Sequence, residues 1–160
     1  MAEPRWLDEQ ERHSWLSFLV MHAKLTAELH RQLRADHGLS LADFDVLAQL
    51  TEAPEGTVRA LELGRSLQWE KSRLSHHLKR MEQRGLIRRE DCLEDSRGAM
   101  VVATDLGRQT IEQAAPGHVE TVRDLVFDQL TKREVETLGR IADKVLARLP
   151  QTKPSRRRSS

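Results

Sequence analysis

The chain has 160 residues, a formal net charge of +1, 32% charged residues and only 4% aromatics, with no tyrosine. That length suits one domain with a real core, and the composition favours a helix-rich protein over a β-sandwich, whose strands want aromatic and β-branched residues. A single cysteine excludes an internal disulfide, no apolar run reaches the length of a membrane span, and the charged start MAEPRWLDEQER is not a signal peptide, so a cytoplasmic location is expected.

A long first helix is expected from about Asp8 to Asp36. Trp15, Phe18, Leu19, Leu25, Leu29 and Leu33 recur there at three- and four-residue steps, with His22 and Thr26 in the same stripe. Gly38 suits the left-handed position after its last turn. Ser40 is a good cap for a second helix over roughly 41–52, carrying Leu41, Phe44, Leu47 and Leu50, and Pro54-Glu55-Gly56 breaks it. Thr57 is expected to cap a short third helix, TVRALELGRSL, burying Val58, Leu61 and Leu67. The fourth starts near Glu70 and stops before Gly85, with Leu74, Leu78 and Met81 as a narrow inward stripe.

Beyond Gly85, Leu86-Ile87-Arg88-Arg89-Glu90 and Met100-Val101-Val102-Ala103 read as antiparallel strands joined by a turn over 94–98. Thr104 caps a fifth helix that runs to about Leu130, kinked or briefly broken at Pro116-Gly117. Thr131 and Glu134 form a capping box for a sixth, which lines Val135, Leu138, Ala142, Val145 and Leu149 on one face and ends at Pro150. The fold class is therefore mostly α with a small β-hairpin. Both end helices carry stripes longer than a small central core can cover, which favours packing across a two-fold homodimer axis over a monomer that folds its ends together.

The charge is unevenly placed. From Lys71 to Arg89 there are seven Lys or Arg against one acid, Glu82. An ordinary solvated helix face mixes signs, whereas a cationic helix is the electrostatic signature of a nucleic-acid reader. Lys71, Ser72, Arg73, Ser75, His76, Lys79 and Arg80 lie on or flank the outward face, at the right scale for a major groove. Arg73 is the candidate for bidentate guanine readout, and Ser72, Ser75 and His76 add contacts to bases or phosphates. Lys79 and Arg80, a turn further on, suit phosphate clamping. On the hairpin tip, Arg97 is placed to enter an adjacent minor groove with Asp95 fixing its direction; the plainer alternative is a turn that Asp95 caps while Arg97 reaches solvent. Glu90, Asp91 and Glu94 must point away from phosphates or pair with Arg88, Arg89 or Arg97.

Other chemistries find little support. The seven histidines include no pair at i, i+4, there is no phosphate-cradling glycine loop and no nucleophile motif, so neither enzyme nor metal site nor cofactor is expected. Cys92 sits among Asp91, Glu94 and Asp95, an acidic setting that blunts thiol reactivity.

Taken in order, these segments resemble the MarR family of winged helix–turn–helix regulators. The resemblance rests on Gly38-Leu39-Ser40 leading into Phe44-Asp45-Val46-Leu47-Ala48, on Met81-Glu82-Gln83-Arg84-Gly85-Leu86-Ile87-Arg88-Arg89, and on Asp95-Ser96-Arg97 followed by Val101 through Gly107. It implies a homodimer on a palindromic double-stranded DNA operator, acting on transcription, usually as a repressor. It also implies a DNA-binding lobe over about 40–104 and dimerisation helices over about 8–36 and 105–149 within a single domain spanning 1–150; the composition of QTKPSRRRSS, over 151–160, reads as a disordered basic tail. Arg97 matches the family's wing-tip arginine and Asp95 the acid that orients it. Arg73 and His76 stand where many members have a small hydroxyl residue and an arginine, so operator preference does not transfer. Many members also bind small, often aromatic, anionic effectors between dimer helices and DNA-binding lobe. Trp15, His22, Phe44 and His118 are the candidates for such a cleft here, with core packing as the alternative. The competing function is a winged-helix module that docks an acidic protein without sequence-specific DNA binding.

Overall fold

The computed structural model describes residues 3–91 and 98–150. Three of its helices start at reciprocal caps, each satisfying amides that the first turn leaves without partners. Helix α1 (Glu9–His37) opens with the Glu11 amide donating to Asp8 Oδ1 at 2.7 Å and the Asp8 amide donating to Glu11 Oε2 at 3.0 Å. Gly38 closes it at φ +65°, the left-handed region that glycine enters without strain. Ser40 then caps α2 (Leu41–Glu52) in a second box with Asp43.

A 3₁₀ turn over Pro54–Gly56 follows, and here the sequence expectation fails. Thr57 does not cap a helix; Thr57–Arg59 is strand β1, and α3 (Ala60–Leu67) begins three residues later. The later start sets a different helical phase. Leu63 is fully buried and Leu61, expected inside, is 59% exposed, while Val58 and Leu67 still pack against the core. Helix α4 (Lys71–Gln83) leads to β2 (Ile87–Asp91), and β3 (Ala99–Ala103) lies between β1 and β2 with both neighbours antiparallel. Val58 and Arg89 sit opposite Val101 from either side.

Helix α5 (Asp105–Leu125) is capped by Thr104, whose hydroxyl accepts from the Gly107 amide at 3.0 Å. It continues through the exposed Pro116 without a break, then ends at Leu125 rather than Leu130, because a 3₁₀ turn over Phe127–Gln129 takes the next residues. Helix α6 (Lys132–Leu146) has the expected Thr131–Glu134 box but stops three residues before Leu149.

The core lies under α2. Leu33, Leu39, Val46, Leu47, Leu50, Leu63, Leu78, Met81, Ile87 and Val101 are its fully enclosed side chains, with Ile111 and Ala114 of α5 at its border. That core covers only part of the apolar surface the sequence carries. Trp15, Phe18 and Leu19 of α1 and Leu138, Ile141 and Val145 of α6 are each at least 42% exposed, and no residue of α6 is buried. Between them runs a groove of about 910 Å³ lined by Met21, Leu25, Leu125, Leu130, Leu138 and Ile141 among others. Among the described residues no helix is long and apolar enough to cross a membrane.

The first turn of α5 touches the sheet closely. The Thr104 amide donates to the Leu86 carbonyl at 3.1 Å, and a Cβ on Gly107 would overlap that same carbonyl oxygen. Backbone cannot swing aside as a side chain can. Gly107→Ala should therefore lower unfolding free energy by about 1–3 kcal/mol in a denaturant titration; an unchanged midpoint would show that α5 is not seated against Leu86.

Candidate nucleic-acid interface

Helix α4 divides cleanly by burial. Leu74, Leu78 and Met81 point inward as their spacing requires, and His77 joins them at 7% exposure. Lys71, Ser72, Arg73, Ser75, His76, Lys79 and Arg80 are all exposed, so every candidate reader on this helix faces solvent. His77 was not expected inside. The signal was present, since it lies three residues after Leu74 and four before Met81, but a histidine at that position reads equally well as polar surface.

What holds α4 in place is a buried carboxylate. Asp43, 3% exposed, accepts from the Ser40 amide at 2.8 Å and from Arg84 Nη1 at 2.7 Å through Oδ2, and its Oδ1 lies 2.9 Å from His77 Nε2. Arg84 also donates to the Gly38 carbonyl at 2.9 Å through Nη2. One group thus ties the start of α2, the middle of α4 and the residue after α4 to the cap of α1. Burial alone would raise the Asp43 carboxyl, but His77, the Ser40 amide and Arg84 together hold it far below the usual carboxylate range.

The remaining charges sort into two sets. Glu82 accepts from the Arg89 amide at 3.1 Å and from its guanidinium at 2.7 Å, which keeps the Glu82 carboxyl below its ordinary value. Arg88 donates to Glu90 at 2.7 Å. Of the acids that looked awkward beside phosphates, Glu90 is therefore the partner of an arginine, while Glu94 lies outside the described residues. Among the described residues no carboxylate pairs with Lys71, Arg73, Lys79 or Arg80. Arg73 instead lies over the Trp69 ring, 4.5 Å from its centroid, and Arg80 Nη2 lies 3.1 Å from His77 Nδ1. Arg73, His76, His77 and Arg80 line a depression of about 420 Å³ whose other wall is Ser40 and Ala42 at the start of α2. Lys71 and Ser75 line the opposite flank, with Trp69, Arg89 and Ala99.

The hairpin strands converge at Asp91 and Ala99. Cys92, Asp95, Ser96 and Arg97 lie outside the described residues, as does the 151–160 segment. The candidate effector residues fall into two groups. Trp15 and His22 each stack on Phe18, at 5.9 and 6.3 Å, on the exposed half of α1. Phe44 instead stacks on His118 of α5 at 4.3 Å, beside Asp45 and near Gln32 of α1. His118 Nδ1 and Gln32 Oε1 are buried with no hydrogen-bond partner among the described residues. Burial pushes the His118 imidazole down and the Asp45 carboxyl up, each partly offset by attraction to the other. No group of three or more His, Cys, Asp or Glu among the described residues is placed to hold a metal ion.

The model of the MarR family matches residues 37–98. No curated protein matches the chain. Among solved structures it is similar to Sco3205, a MarR family transcriptional regulator from Streptomyces coelicolor in complex with DNA: 38% identical over 98% of this chain and 97% of that one, with a TM-score of 0.88. AbsC, a MarR family transcriptional regulator from the same organism, is 34% identical over 91% of this chain and all of its own, with a TM-score of 0.83. A mutant MarR from E. coli complexed with operator DNA is 26% identical over 88% of this chain and 99% of that one, at 0.73.

The Asp43 clamp makes a pH prediction. A carboxyl held below its unfolded value contributes stability that is present above that value, about 3.9, and lost as pH falls towards the folded one. Asp43→Asn should cost roughly 2–4 kcal/mol near neutrality, and the gap to the parent should shrink steadily below about pH 4–5. Urea titrations across that range measure it; a gap independent of pH would mean Asp43 is not ionised in the folded protein.

Proposed function

The chain belongs to the MarR family of DNA-binding transcriptional regulators, and from that premise we propose that it works as a homodimeric repressor that presents two copies of α4 to successive major grooves of a palindromic operator. The observation that carries this reading is the sorting of charge on and around α4. Arg84, Arg88 and Arg89 are neutralised by Asp43, Glu90 and Glu82, leaving Lys71, Arg73, Lys79 and Arg80 exposed and, among the described residues, paired with no carboxylate. Four uncompensated cations on one exposed helical face match a row of phosphates far better than they match water.

In this reading Arg73 reads a guanine edge, Ser72, Ser75 and His76 contact bases or phosphates, and Lys71, Lys79 and Arg80 hold the backbone. Arg97, steered by Asp95, reaches the minor groove. The segment over about 40–104 acts as the DNA-binding lobe. The exposed stripes of α1 and α6, with the groove of about 910 Å³ between them, support their use as the seam with a second copy, alongside α5. The tail over 151–160, with Lys153 and Arg156 to Arg158, adds salt-sensitive attraction to phosphate. A module that docks an acidic protein is not favoured, because the relatives that share over a third of this sequence are transcriptional regulators.

A small aromatic, anionic effector is a second element of the proposal, and one observation favours its place. The Phe44–His118 ring pair carries a buried ring nitrogen with no hydrogen-bond partner among the described residues, and the Gln32 amide oxygen of α1 is likewise buried without one. Trp15 and His22 would belong to such a cleft only if a second copy completed it.

Arg73→Ala should weaken binding to a selected duplex by about 1–3 kcal/mol and relax its sequence choice, whereas Lys79→Ala should weaken all duplexes alike and reduce the salt slope by about one. Fluorescence anisotropy across a salt series separates the two. Equal weak affinity of the parent protein for every duplex would overturn the reading. Ile141→Asp places a charge on the exposed α6 stripe, and sedimentation should show monomers where the parent gives dimers; a dimer that persists would move the seam away from α6.

A further inference from the structure

Arg73 and Arg80 are both exposed, yet neither hangs in solvent unsupported. Trp69, Arg73 and His77 follow one another at four-residue steps along one side of α4 and its entry, and Arg80 lies three further on. The Arg73 guanidinium covers the Trp69 ring at 4.5 Å. The Trp69 and His77 rings meet nearly at right angles, 80°, with centroids 5.1 Å apart. His77 in turn touches Arg80 at Nδ1 and Asp43 at Nε2. The row is anchored at both ends. The Trp69 amide donates to the Gly64 carbonyl at 2.9 Å and its ring packs against the core, while Asp43 is fixed by Ser40 and Arg84.

The ring nitrogens leave little choice of tautomer. A guanidinium only donates, so Nδ1 beside Arg80 must accept, and the single hydrogen of a neutral imidazole then sits on Nε2, 2.9 Å from Asp43 Oδ1 in a close charge contact that falls outside hydrogen-bond geometry. The two ring atoms thus do different jobs. One pins the histidine to the α2 corner and the other offers Arg80 a lone pair.

We propose that Trp69 and His77 are positioning residues for DNA recognition: Trp69 presets Arg73 by cation–π stacking, and His77, packed beside Asp43 with its Nδ1 lone pair turned to Arg80, presets Arg80. This deepens the DNA-binding reading above and rests on it. An arginine already ordered on a rigid partner loses less freedom when it docks on a base edge or phosphate than one free to sample its rotamers. Neither Trp69 nor His77 needs to touch DNA for this. The identity of the residue before α4 then helps to set which bases Arg73 can reach, so sequence choice is shaped from just outside the helix.

The test is a double-mutant cycle in the full-length protein, with the duplex that the parent enriches from a randomised pool as probe. Trp69→Leu keeps apolar bulk and removes the π face. It should weaken binding roughly threefold to tenfold in the parent and by less than about twofold in an Arg73→Ala background. Its effect should persist undiminished in a Lys79→Ala background, because Lys79 has no contact with the ring. Trp69→Phe should restore most of the affinity, and melting temperatures certify that each variant is folded. A loss of equal size with and without Arg73 would make Trp69 a structural residue only and overturn the proposal while leaving DNA binding intact. A parent protein that enriches no sequence would overturn both. For the histidine, a long-range proton–nitrogen spectrum of the parent should show His77 protonated at Nε2 alone; a hydrogen on Nδ1 would remove its role towards Arg80.

Discussion

The Asp43 carboxylate is the constraint on which the rest of the structure depends. A charge with 3% of its surface exposed is costly to bury unless it is compensated, and here the Ser40 amide and Arg84 donate to it while His77 Nε2 lies 2.9 Å away, so that both α2 and α4 hold it. The Ser40 amide is the start of α2, His77 the middle of α4, and Arg84 the residue that closes α4. Because Arg84 also grips the Gly38 carbonyl, the cap of α1 belongs to the same assembly. Apolar packing of Leu47, Leu78 and Met81 would hold α2 near α4 over a range of angles. A charge with directional partners on both helices selects one. A helix–turn–helix needs that selection, because the angle decides which side chains reach a groove.

The same economy of position explains how a chain with a net charge of +1 can present a strongly cationic surface. Its acids are not spread evenly; Asp43, Glu82 and Glu90 each neutralise an arginine that serves the fold. Arg89 ties β2 back to α4 through Glu82, so the ion pair that shields one positive charge also fixes where the hairpin leaves the helix. Of the cations that remain on α4, Arg73 and Arg80 are supported by rings rather than by carboxylates. Trp69 and His77 order Arg73 and Arg80 without cancelling their charge, and a carboxylate in either place would have done both.

Much of this was legible in the sequence, and the failures are instructive. Helix 41–52 was readable to the residue because Ser40 caps it and Pro54-Glu55-Gly56 stops it, both local signals. Thr57 to Arg59 misled because three residues ahead of a helical pattern carry no period of their own; their strand character comes from Val101, far along the chain. The helix start then moved, and Leu63 replaced Leu61 in the core. The Asp43 clamp was invisible for the same reason. Its partner Arg84 is 41 residues away, and nothing near Asp43 announces more than a capping acid. The stripe of α6 was read correctly as apolar, and among the described residues nothing buries it. The motif from Asp95-Ser96-Arg97 through Val101 to Gly107 was the most specific part of the family resemblance, and because its tip lies outside the described residues the geometry of the site stands on α4.

Central to the proposed function is that two copies of the exposed α4 face read base edges from the major groove. Methylation interference on the selected duplex tests it directly, because methylated guanine N7 blocks an arginine in the major groove and leaves the minor groove untouched. Two symmetric clusters of interfering guanines are expected, centred about 10 bp or a multiple of it apart, each losing its central position when Arg73 is replaced by alanine. Interference that is absent, confined to one cluster, or unchanged without Arg73 would contradict it.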